Sequence, residues 1–465
     1  MVPRITFRTR RGRVGADLLD AATSEPIVWL RRGQGFVALG EAARCDTCGP
    51  DRFDAAERWW RAILAAARID GPSTVPGMGP LAFGTFAFAA TSLTESTLIV
   101  PRLVVARYRG EEWTTEAMPD ADHSSKQPAA ASRTRRHEAD GHTQPLGPGS
   151  GRGNPNSPGG SRGLGGPAPM RSAPLPPLIE LPGPISADAW PGVVARGIAQ
   201  IEAGKMDKVV LARSVVAEST GGPIDTRSVL ARLAQYYADT WTFAVDGMIG
   251  ATPEILLRSS RGLATSRVLA GTIRRGGADE ADLAHAAALA RSSKDLEEHE
   301  FAVQSVVAAL EPFVEELSVP EIPSVLHLPN VMHLATEVVG ELRRSRSGGW
   351  PGALRLVAAL HPSAAVCGTP RQAAAAAIEQ LEGLDRGRYA GPVGWIDQNG
   401  AGEWGLALRS AQLSPDRRSG RLWAGGGIVA ASDPAAELAE TEAKLQPMRY
   451  ALGLLDNSGT PPGPD

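Results

Sequence analysis

The chain has 465 residues, of which 43% are hydrophobic, 21% charged and 5% aromatic, and its 48 basic and 51 acidic side chains give a net charge of -3. This near-neutral balance provides no global attraction to nucleic acid or to anionic lipid. The length is sufficient for two or three domains with a substantial buried core. We therefore expect a globular protein with no nucleic acid partner.

The cysteines and the apolar segments indicate a cellular location. Three cysteines, Cys45, Cys48 and Cys367, are too few for a disulfide framework and favour a reducing compartment. No stretch reaches the roughly 18 apolar residues of a membrane span, and no apolar stretch follows the Arg-rich N-terminus as it would in a signal peptide. The sequence thus predicts a cytoplasmic protein with no membrane partner. The Cys45–Cys48 spacing matches half a zinc site, but no second Cys or His pair lies nearby, so we interpret it as a surface turn.

Composition divides the chain into four parts. Residues 1–116 carry strand signals and one helical segment near 54–67, which predicts an N-terminal sheet-rich segment. Residues 117–184 are rich in Gly and Pro, and we expect a disordered insertion there because such a segment buries little apolar surface. Residues 185–452 are predicted to be a long folded part, and 453–465 are predicted to be a disordered tail.

The third part alternates runs of strand with runs of helix. A buried strand is predicted from Lys208 to Val216, and shorter strands are predicted at 242–245, 255–258 and 268–273. An Ala-rich helix ends near Ala290. This order predicts an α+β fold with large, mostly antiparallel sheets. There is no phosphate-binding loop and no dinucleotide fingerprint.

Acidic side chains and glycines mark a candidate site near the C-terminus. The predicted strand 422–429 contains three glycines, which allow a close backbone approach to a ligand, and the helix after Pro434 carries Glu437, Glu440 and Lys444 on one face. On an earlier helix, Glu298 shares a face with the small residues Ala302 and Ser305, which we expect to leave room for a ligand. Glu298 and Glu440 together could hold a hard cation such as Mg²⁺. Taken alone, each helix is explained equally well as a solvated acidic face.

Nine short motifs occur in a characteristic order between about residues 186 and 448. The chain is similar to the chorismate-binding enzyme family through Lys208-Val-Val-Leu-Ala-Arg213, Gly250-Ala-Thr-Pro-Glu254, Ala270-Gly-Thr272, Lys294-Asp-Leu-Glu-Glu-His299, His333-Leu-Ala-Thr336, Arg388-Tyr-Ala-Gly391, Arg409, Gly425-Gly-Gly-Ile-Val429 and Glu437 to Lys444. The resemblance implies two interlocked α/β halves with the active site in the cleft between them. A long Gly/Pro insertion and Gly426 in place of the more usual Ala depart from the family pattern.

Within this family the likeness is to isochorismate synthases. Lys208 stands where the ammonia-using anthranilate and aminodeoxychorismate synthases usually lack a lysine, and residues 360–370 are similar to a stretch typical of isochorismate synthases. The implied reaction adds water at C2 of chorismate and removes the C4 hydroxyl, for menaquinone or siderophore biosynthesis. The resemblance makes Lys208 the general base and Glu254 the general acid. It also implies a monomer with no obligatory glutaminase subunit.

The remaining site residues are also assigned by this resemblance. Mg²⁺ would be held by Glu298 and Glu440, with Glu437 close by. To act at neutral pH, Lys208 would need desolvation or neighbouring cations, and Glu254 would need an apolar environment that keeps it protonated. His333 could equally be a packed core histidine. The residues that would contact the substrate are Gly271, Thr272, His333, Tyr389, Arg409, Gly425, Gly426, Gly427 and Lys444.

Three other functions remain open at this point. A salicylate synthase would use the same base and acid and then eliminate pyruvate from isochorismate. An ammonia-dependent synthase is disfavoured by Lys208. A catalytically silent chorismate-binding scaffold is disfavoured because the base, the acid and the metal carboxylates are all present.

Overall fold

The computed structural model describes residues 2–23, 25–120, 174–275, 279–328, 331–345 and 348–455. These residues form 21 strands, eight α-helices and two short 3-10 helices, Leu18–Ala21 and Glu311–Phe313. The strands are β1 (Ile5–Arg11), β2 (Ile27–Arg31), β3 (Gln34–Thr47), β4 (Arg68–Asp70), β5 (Leu81–Thr85), β6 (Ser96–Tyr108), β7 (Glu111–Pro119), β8 (Leu178–Pro182), β9 (Lys208–Ser219), β10 (Trp241–Val245), β11 (Met248–Thr252), β12 (Ile255–Ser260), β13 (Leu263–Arg274), β14 (Val314–Ser318), β15 (Ser324–His327), β16 (Val331–Leu342), β17 (Gly368–Thr369), β18 (Pro392–Asp397), β19 (Gly402–Leu406), β20 (Ser410–Leu413) and β21 (Ser419–Ile428). The helices are α1 (Arg52–Ala66), α2 (Trp190–Glu202), α3 (Thr226–Tyr236), α4 (Asp279–Arg291), α5 (Ser293–Leu310), α6 (Ala353–Leu360), α7 (Arg371–Glu382) and α8 (Pro434–Leu452).

The strands of the two ends of the chain interleave. Within the described ranges every strand pair is antiparallel except β1 with β4. β2 pairs with β10, and β5 pairs with β18, so the N-terminal segment joins the same hydrogen-bonded network as the C-terminal part. The predicted α+β class with mostly antiparallel sheets is confirmed. One large apolar core lies beneath α1, α2, α6 and α7, and a second lies beneath α3 and α8.

Both ends of the segment 117–184, predicted to be disordered, contain strands. Residues 117–119 complete β7, and 178–182 form β8, which pairs with β9. The high Gly/Pro content predicted disorder where this strand forms. Leu178 to Leu181 can still pair along an exposed sheet edge although prolines flank them. Residues 121–173 lie outside the described residues, as does the predicted tail from 456 onward. Gly453, with φ +74°, ends α8 where the sequence places the end of the third part.

The cysteine pair does not form a surface turn. Cys45 is half-buried within β3, whose hydrogen bonds to β6 continue to Thr47, and only Cys48 lies in the exposed segment that follows. The alternation of apolar and polar residues is weak there, so the sequence gives little indication of this long strand. None of the three cysteines forms a disulfide in the structure.

β9 positions the candidate site. One of its edges pairs with β21 over residues 209–218, and its other edge meets two short strands, β17 and β8. Helix α8 packs against β21, and α5 packs against β13. Elements that are far apart in sequence are thereby brought around the start of β9. In the described part of the chain, no helix is long and apolar enough to cross a membrane.

Candidate active site

A cavity lies between β9, β13, β21 and the loop that follows α7. Eleven of the fourteen residues predicted from the sequence line it: Glu254, Gly271, Thr272, Glu298, His333, Tyr389, Arg409, Gly425, Gly426, Gly427 and Lys444. The other three, Lys208, Glu437 and Glu440, lie immediately beside lining residues. The fold therefore brings all fourteen to one place.

Lys208 begins β9 and its side chain is completely buried. Its Nζ lies 3.2 Å from Oε1 of Glu298, and it also donates to the backbone oxygen of Glu298 at 3.4 Å. The desolvation expected for this lysine is present. Neighbouring cations were the alternative to desolvation, but the ion-pair partner of Lys208 is the carboxylate of Glu298.

Glu254 lies in the short turn between β11 and β12. Its backbone N–H donates to the Thr252 hydroxyl at 3.3 Å, and its side chain faces the cavity. Burial raises the pKa of Glu254 to about 8, although the nearby cations Lys208 and Lys444 oppose the shift. The carboxyl is therefore mostly protonated at neutral pH, as a general acid requires.

The glycines of β21 provide space for carboxylates. A Cβ on Gly427 would lie 2.2 Å from Oε1 of Glu298, and a Cβ on Gly426 would lie 2.8 Å from Oε2 of Glu437 and 3.8 Å from Oε1 of Glu440. Real Cβ atoms do not approach other atoms so closely, so alanine at Gly427 would displace Glu298. The three predicted metal carboxylates thus gather around two consecutive residues of one strand.

Two of these carboxylates are engaged by lysines. Lys444 Nζ lies 2.5 Å from Oε1 of Glu440 and donates to the Gly425 carbonyl at 2.9 Å, while Lys208 pairs with Glu298. No three His, Cys, Asp or Glu side chains of the described residues converge as a ready-made metal site. Ser432 holds the remaining carboxylate, Glu437, by a hydrogen bond of 2.9 Å.

The face predicted to leave room beside Glu298 is filled. Ala302 is fully buried in the apolar core, and the Ser305 hydroxyl accepts a hydrogen bond from the Ala364 N–H at 3.1 Å. The ligand space near Glu298 therefore comes from the glycines of β21 and not from α5. The residue pattern of one helix does not indicate which neighbouring element packs against its small side chains.

A chain of hydrogen bonds connects β13, β16 and the loop before β20. The register of β13 with β16 shifts at Gly271, whose φ is +75°, so that Thr272 lies directly opposite His333. His333 Nδ1 lies 3.1 Å from the Thr272 hydroxyl and 3.3 Å from the Gly271 carbonyl, and its Nε2 lies 3.2 Å from Nη2 of Arg409. Since Arg409 can only donate, Nε2 must accept and the proton must be on Nδ1.

We expect His333 to remain neutral with its proton on Nδ1 between pH 5.5 and 8. Burial and the neighbouring Arg409 hold the pKa of His333 well below its usual value. Nitrogen-15 chemical shifts of this imidazole should not move across that range. A transition to the imidazolium form within it would contradict this assignment.

Arg409 and Tyr389 also line the cavity. Arg409 is buried and makes no ion pair in the described part of the chain, and its guanidinium is held by the neutral His333. Burial lowers the pKa of Arg409 and raises that of Tyr389 to about 12. The Tyr389 ring stacks on Trp423 with centroids 5.2 Å apart. A buried guanidinium without a carboxylate partner is suited to bind an anion.

The chain matches a family model described as chorismate binding enzyme over residues 20–146 and 172–453. The chain belongs to the chorismate-binding enzyme family. A protein of Pseudomonas aeruginosa named salicylate biosynthesis isochorismate synthase is 34% identical over 444 residues, covering 92% of this chain and 85% of that protein. An isochorismate synthase of Bacillus subtilis is 41% identical over 272 residues, which cover 56% of this chain and 67% of the Bacillus protein.

Solved structures of the chorismate-binding family share the fold. A putative 2,3-dihydroxybenzoate-specific isochorismate synthase from Bacillus anthracis superposes with a TM-score of 0.70 at 30% identity, covering 94% of this chain and 99% of that chain. The menaquinone-specific isochorismate synthase of Escherichia coli also gives a TM-score of 0.70, at 22% identity, with coverage of 97% and 95%. The second match supports the fold alone.

Among the other residues that line the cavity, Arg386 and Trp423 carry large polar or aromatic side chains that sequence reasoning missed. Arg386 lies in the loop after α7, and Trp423 lies in β21. The four-residue spacing of Glu382 and Arg386 was a signal for the first, because such pairs can form ion pairs. The side-chain alternation along β21 could have placed Trp423 on the same face as Gly425 and Gly427.

Proposed function

We propose that this chain is an isochorismate synthase, an isomerase that converts chorismate into isochorismate. The observation that carries the proposal is the buried Glu254 carboxyl in the same cavity as Arg409 and Lys444, with the buried Lys208 beside it. The substrate is a dicarboxylate, and the cavity offers cations together with one proton donor and one amine. The names of the relatives support the same activity.

The reaction needs one group to accept a proton and another to supply one. Lys208 accepts a proton from the water whose oxygen bonds to C2, and Glu254 donates its proton to the C4 hydroxyl, which leaves as water. The ring double bonds shift between these positions, so one water enters and one leaves. The ion pair with Glu298 must separate and Lys208 must lose its proton before it can act. Each such acid or base contributes about 10²- to 10⁴-fold to the rate.

The cations of the cavity bind and orient the substrate. Arg409 presents a planar guanidinium whose orientation is set by His333, and a carboxylate can accept two hydrogen bonds from it. The Tyr389 hydroxyl would contact the same carboxylate, and Lys444 would do so after leaving its ion pair with Glu440. Binding at this end holds C2 and C4 of the ring at fixed positions relative to Lys208 and Glu254, which reduces the entropic cost of reaction.

The carboxylates around β21 fit a magnesium ion. Glu298, Glu437 and Glu440 would hold it, since Mg²⁺ prefers carboxylate oxygens and Gly426 and Gly427 leave those oxygens room. When bound, the ion would neutralise a substrate carboxylate and polarise the ring. The lysine partners of Glu298 and Glu440 would have to move aside.

A Glu298→Gln variant should bind Mg²⁺ at least about tenfold more weakly than the unchanged chain, because one anionic oxygen ligand is lost. Calorimetric titration of the protein with Mg²⁺ alone measures this without substrate. Glu297→Gln on the exposed face of the same helix is the matched control and should bind as the unchanged chain does. Equal affinity of both variants would remove Glu298 from the metal site.

Product analysis tests the activity. The purified chain with chorismate and Mg²⁺ should form isochorismate, resolved by chromatography, with neither salicylate nor pyruvate. Salicylate together with pyruvate would reassign the chain to the salicylate synthases. Absence of turnover until ammonia or a glutaminase is added would contradict the role of water. We further propose a monomer without a glutaminase partner, which size-exclusion chromatography of the active protein can check.

A further inference from the structure

We propose that the buried ion pair between Glu382 and Arg386 positions β9, and through it Lys208, by replacing a missing neighbouring strand. Neither residue is among those assigned to catalysis or binding above. The inference rests on the proposed function, because Lys208 matters only if it is the base. Its structural part concerns backbone hydrogen bonds and can be tested without turnover.

The edge of β9 that faces away from β21 has a gap. β17 pairs with residues 208 and 209, the Val210 N–H donates to the Cys367 carbonyl at 2.8 Å, and β8 pairs only from Val215 onward. Between these strands, the Val210 carbonyl and the Ala212 N–H need other partners. An unsatisfied buried backbone group is costly, so the partners that fill this gap matter.

The ion pair supplies both partners. Arg386 Nη2 donates to the Val210 carbonyl at 2.6 Å, and the Ala212 N–H donates to Oε1 of Glu382 at 2.7 Å. Arg386 also donates to both carboxylate oxygens of Glu382. The side chains of both residues are almost completely buried, at 2% and 0% exposure. One acceptor at the end of α7 and one donor in the loop after it therefore continue the ladder where no strand of the described residues lies.

The same arginine also connects β9 to the segment that precedes β17. Its Nη1 donates to the Val366 carbonyl at 3.0 Å, and Val210, Ala212 and Val366 all line the cavity. Lys208, Val210 and Ala212 alternate along one strand, so their side chains share a face. The pair thus fixes the strand that carries Lys208 relative to the cavity-lining segment that contains Val366. A misplacement of about 1 Å can cost about 10²-fold in rate.

The test is a double variant, Glu382→Met with Arg386→Met, which removes both charges and keeps similar volume. Replacing a complete buried pair by apolar residues is often tolerated. We expect kcat to fall about 10- to 100-fold, with KM changed less than about twofold because Arg409 and Lys444 lie on other elements. Hydrogen exchange at the Ala212 amide should become at least about tenfold faster, whereas the Leu211 amide should change little because its partner is β21.

The matched control is Glu57→Met with Arg61→Met. These residues form an ion pair of the same spacing on α1, away from the cavity, so kcat and the Ala212 amide should be unaffected. A double variant that keeps kcat within twofold of the unchanged chain would overturn the positioning role. An unchanged hydrogen-exchange rate at the Ala212 amide would also overturn it. If the unchanged chain does not turn over chorismate, the proposed function fails while the exchange result still decides the structural part.

A second variant keeps the proposal testable if the double variant does not fold. Arg386→Lys keeps the charge beside Glu382 but cannot reach Val210, Val366 and both carboxylate oxygens together. We expect this variant to fold with an intermediate loss of kcat and unchanged KM. Full activity of the folded Arg386→Lys protein would contradict the proposal.

Discussion

A Lys208→Arg variant should lose about 10²- to 10⁴-fold in kcat, the range expected when a general base is removed. Arginine can keep the ion pair with Glu298 but stays protonated at neutral pH and so cannot accept a proton from water. A Lys208→Ala variant should lose activity to a similar extent. Initial rates of isochorismate formation at saturating chorismate and Mg²⁺ measure the effect.

The arginine variant separates two roles of Lys208. If the lysine only supplied positive charge next to Glu298, arginine would restore much of the rate that alanine loses. Lys205→Ala, three residues earlier and exposed, is the matched control and should leave kcat unchanged. Activity of Lys208→Arg within about threefold of the unchanged chain would rule out the base role.

A Glu254→Gln variant should lose about 10²- to 10⁴-fold in kcat, because glutamine cannot protonate the departing hydroxyl. In the unchanged chain, kcat/KM should decrease above about pH 8, where the carboxyl whose pKa burial raises to about 8 loses its proton. This limb of the pH profile should be absent from the residual activity of the variant. Glu315→Gln on an exposed strand is the control.

The raised pKa of Glu254 also makes the stability of the folded chain depend on pH. The pKa of Glu254 is about 8 in the folded chain and near 4.5 when unfolded, so the folded state holds the proton more tightly. Its contribution to stability is therefore full below about pH 4.5 and is lost as pH rises to about 8. Thermal unfolding should show the unchanged chain losing stability relative to Glu254→Gln across this interval. A relative gain would contradict the raised pKa.

Much of the site could be predicted because its residues lie in short, ordered motifs. Lys208 begins the strand predicted for it, and Gly425 to Gly427 lie within β21 as expected. The helix that begins at Pro434 carries Glu437 and Glu440 toward the site because Asp433 caps it, accepting from the Ala436 N–H at 2.8 Å. These features depend on local residue patterns, which the sequence contains directly.

The remaining features depend on contacts between distant segments. No local pattern indicates that Glu298 meets Lys208 across 90 residues, or that Glu382 meets the Ala212 amide across 170 residues. β8 was missed because its pairing with β9 outweighs a composition that favours disorder. The β21 glycines also leave room for the carboxylates of Glu298 and Glu437, which their own motif does not indicate. Tertiary packing decides each of these.

The central claim is that water adds to chorismate in this cavity, and conversion in ¹⁸O-labelled water tests it most directly. Mass spectrometry of isochorismate formed in a single turnover should find one ¹⁸O atom, carried by the hydroxyl at C2. The C4 oxygen should leave and appear in the solvent. Isochorismate without label would show that the hydroxyl migrates within the substrate, which would contradict the roles assigned to Lys208 and Glu254.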